Sequence, residues 1–397
     1  MGYSRKAENI TPSVTLAITT KAKELSSAGV DVVSFGVGEP DFNTPRHIID
    51  AAIKAMEEGK TKYTATPGIP ELRKAICEKF KKDNGLTYTP DQIVVSTGAK
   101  QCLANAFLAT LNPGDEVLIA APYWVSYPEL VKLADGVPVV VNTTEETMYK
   151  FSQESLEDAV TDKTKAIVLN SPNNPTGTIY EKEELEMIAE FAKEHDLIII
   201  ADEIYEKLIY DGKEHISIAS LSEDAYKRTI VINGLSKAFA MTGWRIGYLA
   251  ADKKIAKLMS SIQSHMTSGT NSITQYAAVA ALEGDMTEMR NMVKEFDKRR
   301  NYMLERIEGM EDITCISPSG AFYVMLNIGQ YLGKAISGIK VANSVEFADK
   351  LLDEEKVAVV PGAGFGLDSY VRLSYATSME EIKKGLDRIE NFLKKFD

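Results

Sequence analysis

Histidine, cysteine and positive charge are all scarce in this 397-residue chain, and each shortage closes off a class of function. The four histidines, His47, His195, His215 and His265, are nowhere paired at metal-ligand spacing, which argues against a histidine-based metal site. The three cysteines, Cys77, Cys102 and Cys315, are odd in number and widely spaced. They form neither a disulfide framework nor a CxxC metal pattern and read as reduced thiols. No apolar run approaches the roughly 20 residues that span a bilayer. The stretch from Met1 to Asn9 is polar and lacks a hydrophobic signal core, so a cytoplasmic protein with no membrane partner is expected. Against 57 Asp and Glu stand only 45 Lys and Arg, a net charge of −12 that argues against nucleic acid as a partner. Any anionic substrate must then be held by Arg or Lys placed locally against the general field.

What is present is the composition of a soluble globular chain, 44% hydrophobic and 26% charged, long enough for two domains of roughly 100–200 residues each. Short β-branched runs recur at Ile93 to Val95, Glu116 to Ile119, Val137 to Val141, Ala166 to Leu169, Leu197 to Ala201, Thr229 to Ile232 and Ile246 to Ala250. Helical patterns such as Gln101 to Leu111 and Glu181 to His195 alternate with them. That alternation predicts an α/β fold of βαβ units around a mostly parallel sheet covered on both faces. A long charged helix from Met286 to Ile307 leads into shorter strands (Gly320 to Asn327, Val357 to Val360, Tyr370 to Tyr375) and helices over 344–355 and 379–395, a smaller α+β domain. The first 45 or so residues have too few apolar runs to fold alone and are expected to pack on it. The division expected is 46–285 for a large cofactor-binding domain and 1–45 with 286–397 for a small one.

In doubly wound sheets, ligands bind beyond the carboxyl ends of the strands. The unusual residues of this chain fall there. Lys237 follows the apolar strand Thr229 to Ile232, and a lysine at a buried strand end is costly unless it is neutralised or used covalently. Schiff-base chemistry with an aldehyde is one such use, since desolvation frees the amine lone pair. Arg245, eight residues on, is placed to clamp a phosphate. Ser96-Thr97-Gly98-Ala99-Lys100 joins a strand to a helix whose N–H groups suit an anion. Trp124 follows another strand, either as core packing or as a flat ring that stacks on an aromatic ligand. Asn173 and Asn174 sit in a tight turn between prolines, where an amide can donate to a phenolic oxygen. Asp202 ends five apolar residues and needs a cationic partner such as a protonated pyridine nitrogen, and Tyr205 follows three residues later. Gly362-Ala363-Gly364-Phe365-Gly366 lacks the spacing and the following helix of a dinucleotide loop, so no nicotinamide site is expected there.

Taken together these residues resemble the class I and II aminotransferases, which use pyridoxal 5′-phosphate on the large fold called fold type I. The resemblance to the bacterial and archaeal aspartate aminotransferase subgroup covers nearly the whole chain. It is carried by Gly38-Glu39-Pro40-Asp41-Phe42, Tyr63 with Gly68 to Arg73, Pro122 to Tyr127, Ser171 to Gly177, Asp202 to Tyr205, Ser236-Lys237 with Trp244 to Gly247, and Tyr370 to Ala376. It implies a seven-stranded sheet and a homodimer with shared active sites. Lys237 would form the Schiff base with the cofactor and act as catalytic base, and Asp202 would pair with the pyridine nitrogen. Tyr205 and Asn174 would bond the ring 3-oxygen, with Trp124 on the ring face. Gly98, Ala99, Lys100 and Arg245 would hold the phosphate, with Tyr63 reaching in from a partner subunit. Many relatives carry a phosphate-binding serine three residues before the lysine; here that position is Gly234, and the contact passes to Ser236 or is absent. Arg372, beside the Gly38 backbone, would take the substrate α-carboxylate, while Trp124 and Asn174 also face substrate.

The resemblance further implies ping-pong transfer of the amino group from L-aspartate to 2-oxoglutarate, with Lys100 meeting the distal carboxylate. Aromatic amino acids, alanine and prephenate are the alternatives. Relatives that accept prephenate carry a basic residue two before the serine of their Pro-Ser element, and here the element is Thr11-Pro12-Ser13. Regulator domains on the same fold carry a basic DNA-binding domain, which this acidic chain does not suggest.

Overall fold

The computed structural model describes residues 2–12 and 14–397; Ser13, of the Pro-Ser element, lies outside the described residues. Seven strands form the central sheet: β1 (Ile93–Ser96), β2 (Glu116–Ala121), β3 (Val137–Asn142), β4 (Thr164–Asn170), β5 (Ile198–Asp202), β6 (Thr229–Gly234) and β7 (Gly247–Ala250). Their spatial order is β1-β7-β6-β5-β4-β2-β3. These are the seven β-branched runs of the sequence, and β1, β6 and β7 are buried at every position, as expected for strands covered on both faces. Helix Ala99–Thr110 and Met259 cover one face through Cys102, Leu103 and Phe107; helix Lys182–Glu194 covers the other through Leu185, Ile188 and Phe191.

Strand β7 is antiparallel to both of its neighbours, whereas β2 to β6 run parallel. The reason lies in the connection. Parallel strands need a crossover of a dozen or more residues, usually a helix. Residues 235–246 form only turns, so the chain doubles back directly after β6. This reversal puts the start of β7 at the same sheet edge as the ends of β1, β2, β4, β5 and β6.

A second sheet, antiparallel, is built from β8 (Tyr323–Asn327), β9 (Val360–Pro361) and β10 (Tyr370–Ser374) in the order β9-β10-β8. Helices Thr287–Glu308, Ser344–Glu355 and Met379–Leu393 pack on it around Phe296, Phe322, Phe347 and Phe392. The strand expected over Val357 to Val360 divides in two. Val357–Ala358 pairs in parallel with Val33–Ser34, and Val360–Pro361 pairs with β10. Residues near the N-terminus rest on the same body: Ala22 of helix Val14–Ser27 packs with Leu352 and Ala358. Among the described residues, no helix is long and apolar enough to cross a membrane.

Candidate active site

Register fixes what meets at the sheet edge. Ser96 and Gly234 both face Gly247, and Asn170 faces Asp202. A cavity of about 450 Å³ opens above this edge, walled on its other sides by Tyr323 and Arg372 of the second sheet and by helix Val14–Ser27. Of the residues singled out in the sequence, Gly38, Ala99, Lys100, Trp124, Asn174, Asp202, Tyr205, Ser236, Lys237, Arg245 and Arg372 all line it.

One end of the cavity is a site for an anion. Gly98 caps helix Ala99–Thr110 with φ +87°, a backbone geometry that L side chains rarely adopt, and an added Cβ there would lie 2.5 Å from Arg245 Nη2. A Cβ on Gly247 would fall 2.3 Å from the Ala99 nitrogen. These glycines therefore let the helix start, β7 and the Arg245 guanidinium close up together. Free helical N–H groups and a guanidinium then point at one volume, and the helix dipole adds to the attraction for an anion. Arg245 donates from Nη1 to the Thr242 carbonyl at 2.8 Å, and among the described residues no carboxylate lies within ion-pair distance of it. Gly234, where relatives carry serine, is tight as well: a Cβ would sit 3.1 Å from Ile204 Cδ1 and 3.2 Å from the Gly247 Cα. Ser236 lines the cavity instead, buried to 8% exposure.

Asp202 is 4% exposed and accepts from the Tyr127 hydroxyl at 2.7 Å and the Ile204 N–H at 3.2 Å. Burial outweighs these bonds and pushes its carboxyl up to about 6. Among the described residues it has no ion-pair partner, so it is a buried carboxylate awaiting a cation. Asn170 braces it, donating from its amide to the Asp202 carbonyl at 2.9 Å and accepting the Asn174 N–H at 2.9 Å.

Lys237 is half-buried, and its ammonium donates to the Gly38 carbonyl at 2.5 Å, under the rings of Tyr205 (5.9 Å) and Phe322 (5.8 Å). Burial first, then the nearby Arg372 and Arg245, lower its amine to about 8, although Glu39 and Asp202 act in the opposite sense. A lysine so placed holds a reactive fraction of neutral amine near neutral pH.

Arg372, 2% exposed, donates to the Asn174 side-chain oxygen at 3.0 Å and the Gly36 carbonyl at 3.1 Å, and its Nε has no partner. Its guanidinium lies 4.3 Å from the Tyr323 ring centroid and 5.1 Å from that of Phe365. A planar cation with unused donors, facing the cavity and paired with no carboxylate among the described residues, suits a bidentate anion. The Lys100 ammonium sits 4.8 Å from the Trp124 ring, and burial followed by Arg245 lowers its pKa.

Tyr63 stands apart from this group. It is fully exposed, at 102%, and does not line the cavity of its own chain. Several lining or supporting residues were not singled out from the sequence. Tyr127 carried a signal, three residues from Trp124 in the same strand-end segment. Tyr323 carried none, since its hydroxyl meets that of Tyr205 at 2.9 Å from 118 residues away. Thr19 and Lys23 line the cavity from the N-terminal helix.

Behind the site, Glu203 and Glu206 of the turn after β5 face away from the cavity that Asp202, Ile204 and Tyr205 line. Glu203 accepts from Ser217 Oγ at 2.6 Å and lies 3.0 Å from His215 Nε2, and Glu206 pairs with Lys79 and accepts from Asn84 at 3.0 Å. Glu203, Glu206 and His215 are close enough to share a metal ion, a grouping that sequence spacing did not reveal. The Lys79 ammonium, however, already serves as cation to Glu206. Burial alone would raise the Glu206 carboxyl, but Lys79, Lys207 and His215 overcome it and hold the group at about 2.

The family model for aminotransferase class I and II matches residues 30–389. The chain is 50% identical over 395 residues to the aspartate aminotransferase of Bacillus subtilis (strain 168), covering 100% of both chains. It is 47% identical over 385 residues to the aspartate/prephenate aminotransferase of Cereibacter sphaeroides (strain ATCC 17029 / ATH 2.4.9), covering 96% of each. Among solved structures it is similar to the aspartate aminotransferase of Thermus thermophilus with maleate, with a TM-score of 0.93, 44% identity and coverage of 98% of this chain and 99% of that one.

Proposed function

The chain belongs to the class I and II aminotransferases, which work with pyridoxal 5′-phosphate, and from that premise we propose that it transfers the amino group of L-aspartate to 2-oxoglutarate. The observation that carries the reading is one cavity in which Lys237, Asp202, Arg245 and Arg372 converge, each lacking an ionic counterpart of its own. The residues fit the cofactor. The bare helix start at Gly98, Ala99 and Lys100, with Arg245 and Ser236, suits its phosphate, and the orphaned Asp202 suits its pyridinium nitrogen. Trp124 offers a flat face, and Asn174 and Tyr205 would hold the ring 3-oxygen. When bound, the cofactor supplies an aldehyde that takes the amino group and a ring that withdraws electrons from the substrate Cα.

Arg372 binds the α-carboxylate in a fork and so protects that bond from being the one broken. Lys237 would hold the cofactor through its neutral amine, and the same Nζ, once released, would take the substrate Cα proton and give it back on the same face. Gly38, whose carbonyl holds Nζ in the resting protein, sits beside the same substrate group. Asp202 keeps the ring nitrogen protonated, and Tyr127 and Asn170 keep Asp202 in place. A second, oxo-acid substrate reverses each of these proton movements, hence the ping-pong order.

Aspartate as donor is supported by the surplus of cavity cations, Lys100 among them, available to a second carboxylate, and by the names of the relatives. The fully exposed Tyr63 supports a homodimer in which this ring enters the partner's site. The three free cysteines suit a cytoplasmic setting. The test is a visible-spectrum titration of the purified holoenzyme with aspartate, alanine, aromatic amino acids, prephenate and their oxo acids. A preference for neutral donors over aspartate by about 10-fold in kcat/KM, roughly 1.4 kcal/mol, would overturn the assignment.

A further inference from the structure

We propose that Tyr323 is a positioning residue whose hydroxyl donates to Tyr205, turning the Tyr205 hydrogen toward the cavity and strengthening its bond to the ring 3-oxygen of the cofactor. This rests on the cofactor reading above and goes beyond it by giving a residue of the second sheet a part in that contact. Strand β8 places the ring. Just before it, Ala321 holds φ +58°; its N–H donates to the Leu208 carbonyl at 2.9 Å, and its carbonyl accepts from the hydroxyls of Tyr210 and Tyr375. Tyr323 then lies opposite Ser374 of β10 and diagonal to Arg372, a spacing that aromatic and long side chains bridge. The Arg372 guanidinium accordingly sits 4.3 Å from its ring centroid. The ring meets that of Tyr205 edge-on at 5.9 Å, with the two hydroxyls 2.9 Å apart.

Both phenols are buried, and both line the cavity. Each carries one hydrogen and can also accept. Among the described residues neither hydroxyl has another hydrogen-bond partner, so one hydrogen is spent between them and the other is left for the cavity. Burial, and then Tyr323, raise the Tyr205 phenol well above its ordinary range, whereas burial of Tyr323 is opposed directly by Arg372. Tyr323 is therefore the stronger acid and the better donor. Tyr205 accepts from it and directs its own hydrogen to the bound oxygen, and hydrogen bonds chained in this way strengthen one another. A stronger donor at the 3-oxygen draws off negative charge that would otherwise hold the proton on the Lys237 nitrogen once the cofactor is attached. The Tyr323 hydroxyl thus makes that nitrogen easier to deprotonate. Glu39, Asp202, Arg245 and Arg372, the charges that act on Lys237, are untouched when only this hydroxyl is removed.

The experiment compares wild type, Tyr323→Phe, Tyr205→Phe and the double variant as holoenzymes, following the visible band as pH is varied. Tyr323→Phe should raise the midpoint of the colour change by about 0.3–1 pH unit, and in the Tyr205→Phe background the same substitution should move it by less than about 0.2 unit. Cofactor-free Tyr323→Phe should bind cofactor about 2- to 5-fold more weakly in reconstitution titrations. Succinate binding, read by absorbance on the acid side of the midpoint, should change by less than about 2-fold, because Phe keeps the ring on the Arg372 guanidinium. An unmoved midpoint overturns the proposal, as does an equal rise in both backgrounds. A midpoint that falls overturns it too, since it means that Tyr205 donates to Tyr323. A loss of succinate binding as large as the loss of cofactor binding reduces Tyr323 to packing and also overturns it. If Tyr205→Phe alone leaves the midpoint in place, the placing of Tyr205 at the 3-oxygen falls, and the proposal with it, which is a different result from the same panel.

Discussion

Replacing Asp202 with Asn should move stability and function in opposite directions. In the cofactor-free protein its carboxyl titrates at about 6 against an ordinary 3.8, because burial outweighs the bonds from Tyr127 and Ile204. Between those two pH values the folded chain binds a proton that the unfolded chain does not, so stability rises as pH falls through the window and the cost is complete above it. About 2 pH units correspond to roughly 3 kcal/mol. The Asn variant escapes that charge but leaves an amide N–H₂ seeking acceptors, which takes back on the order of 1–2 kcal/mol. The net gain expected at pH 8 is therefore on the order of 1–2 kcal/mol, a rise of about 1–2 °C in the Tm of the cofactor-free variant, turning into a loss of on the order of 1 kcal/mol near pH 4, where only the amide cost is left. With cofactor the sign reverses. Removing one member of a buried pair costs about 3–5 kcal/mol, or about 10²- to 10⁴-fold in the rate of the aspartate half-reaction. The assays are calorimetry of the cofactor-free proteins from pH 4 to 8.5 and single-turnover absorbance of the holoenzymes. No stabilisation at pH 8, or one that persists unchanged at pH 4, would refute the idea that Asp202 is a buried charge without a partner.

The rate at which cofactor attaches to the cofactor-free protein should rise with pH to a midpoint near 8, since only the neutral amine of Lys237 reacts, and Lys237→Ala should show no attachment on borohydride trapping. Arg372→Lys keeps the charge but loses the fork to Asn174 and Gly36, so KM for every amino acid should rise about 30- to 100-fold, roughly 2–3 kcal/mol, with the cofactor spectrum unchanged. Gly247→Ala drives a Cβ to 2.3 Å from the Ala99 nitrogen, and should lower stability by about 1–3 kcal/mol and weaken phosphate-end binding in reconstitution titrations. The Glu206 carboxyl is depressed to about 2, so its contribution is present above its ordinary 4.5 and is lost as pH falls toward 2; Glu206→Gln should flatten that part of the acid-denaturation curve.

Local pattern carried most of the fold. All seven runs of β-branched residues became strands of the central sheet because each is short, apolar and bounded by turn residues, and helix 344–355 falls where its periodicity put it. The division of Val357 to Val360 between two sheets had no local signature, since which edge a strand finds depends on partners at Val33 and Arg372. The antiparallel run of β7 was legible in principle from the helix-free 235–246 connection, yet its consequence was not: Arg245 meets Gly98 only because the reversal returns the chain to the same edge.

By itself, then, the order of residues determined the strand–helix alternation and which chemical groups stand at strand ends: a lysine, an aspartate, an arginine and a glycine-capped helix. Each is stated by a handful of neighbours along the chain. Only the tertiary structure decided that Tyr323 reaches Tyr205, that Glu203 and His215 meet behind the cavity, and that Asp202 has no cation of its own. These are relations between distant segments in three dimensions, and the field at a buried charge is a sum over all of them.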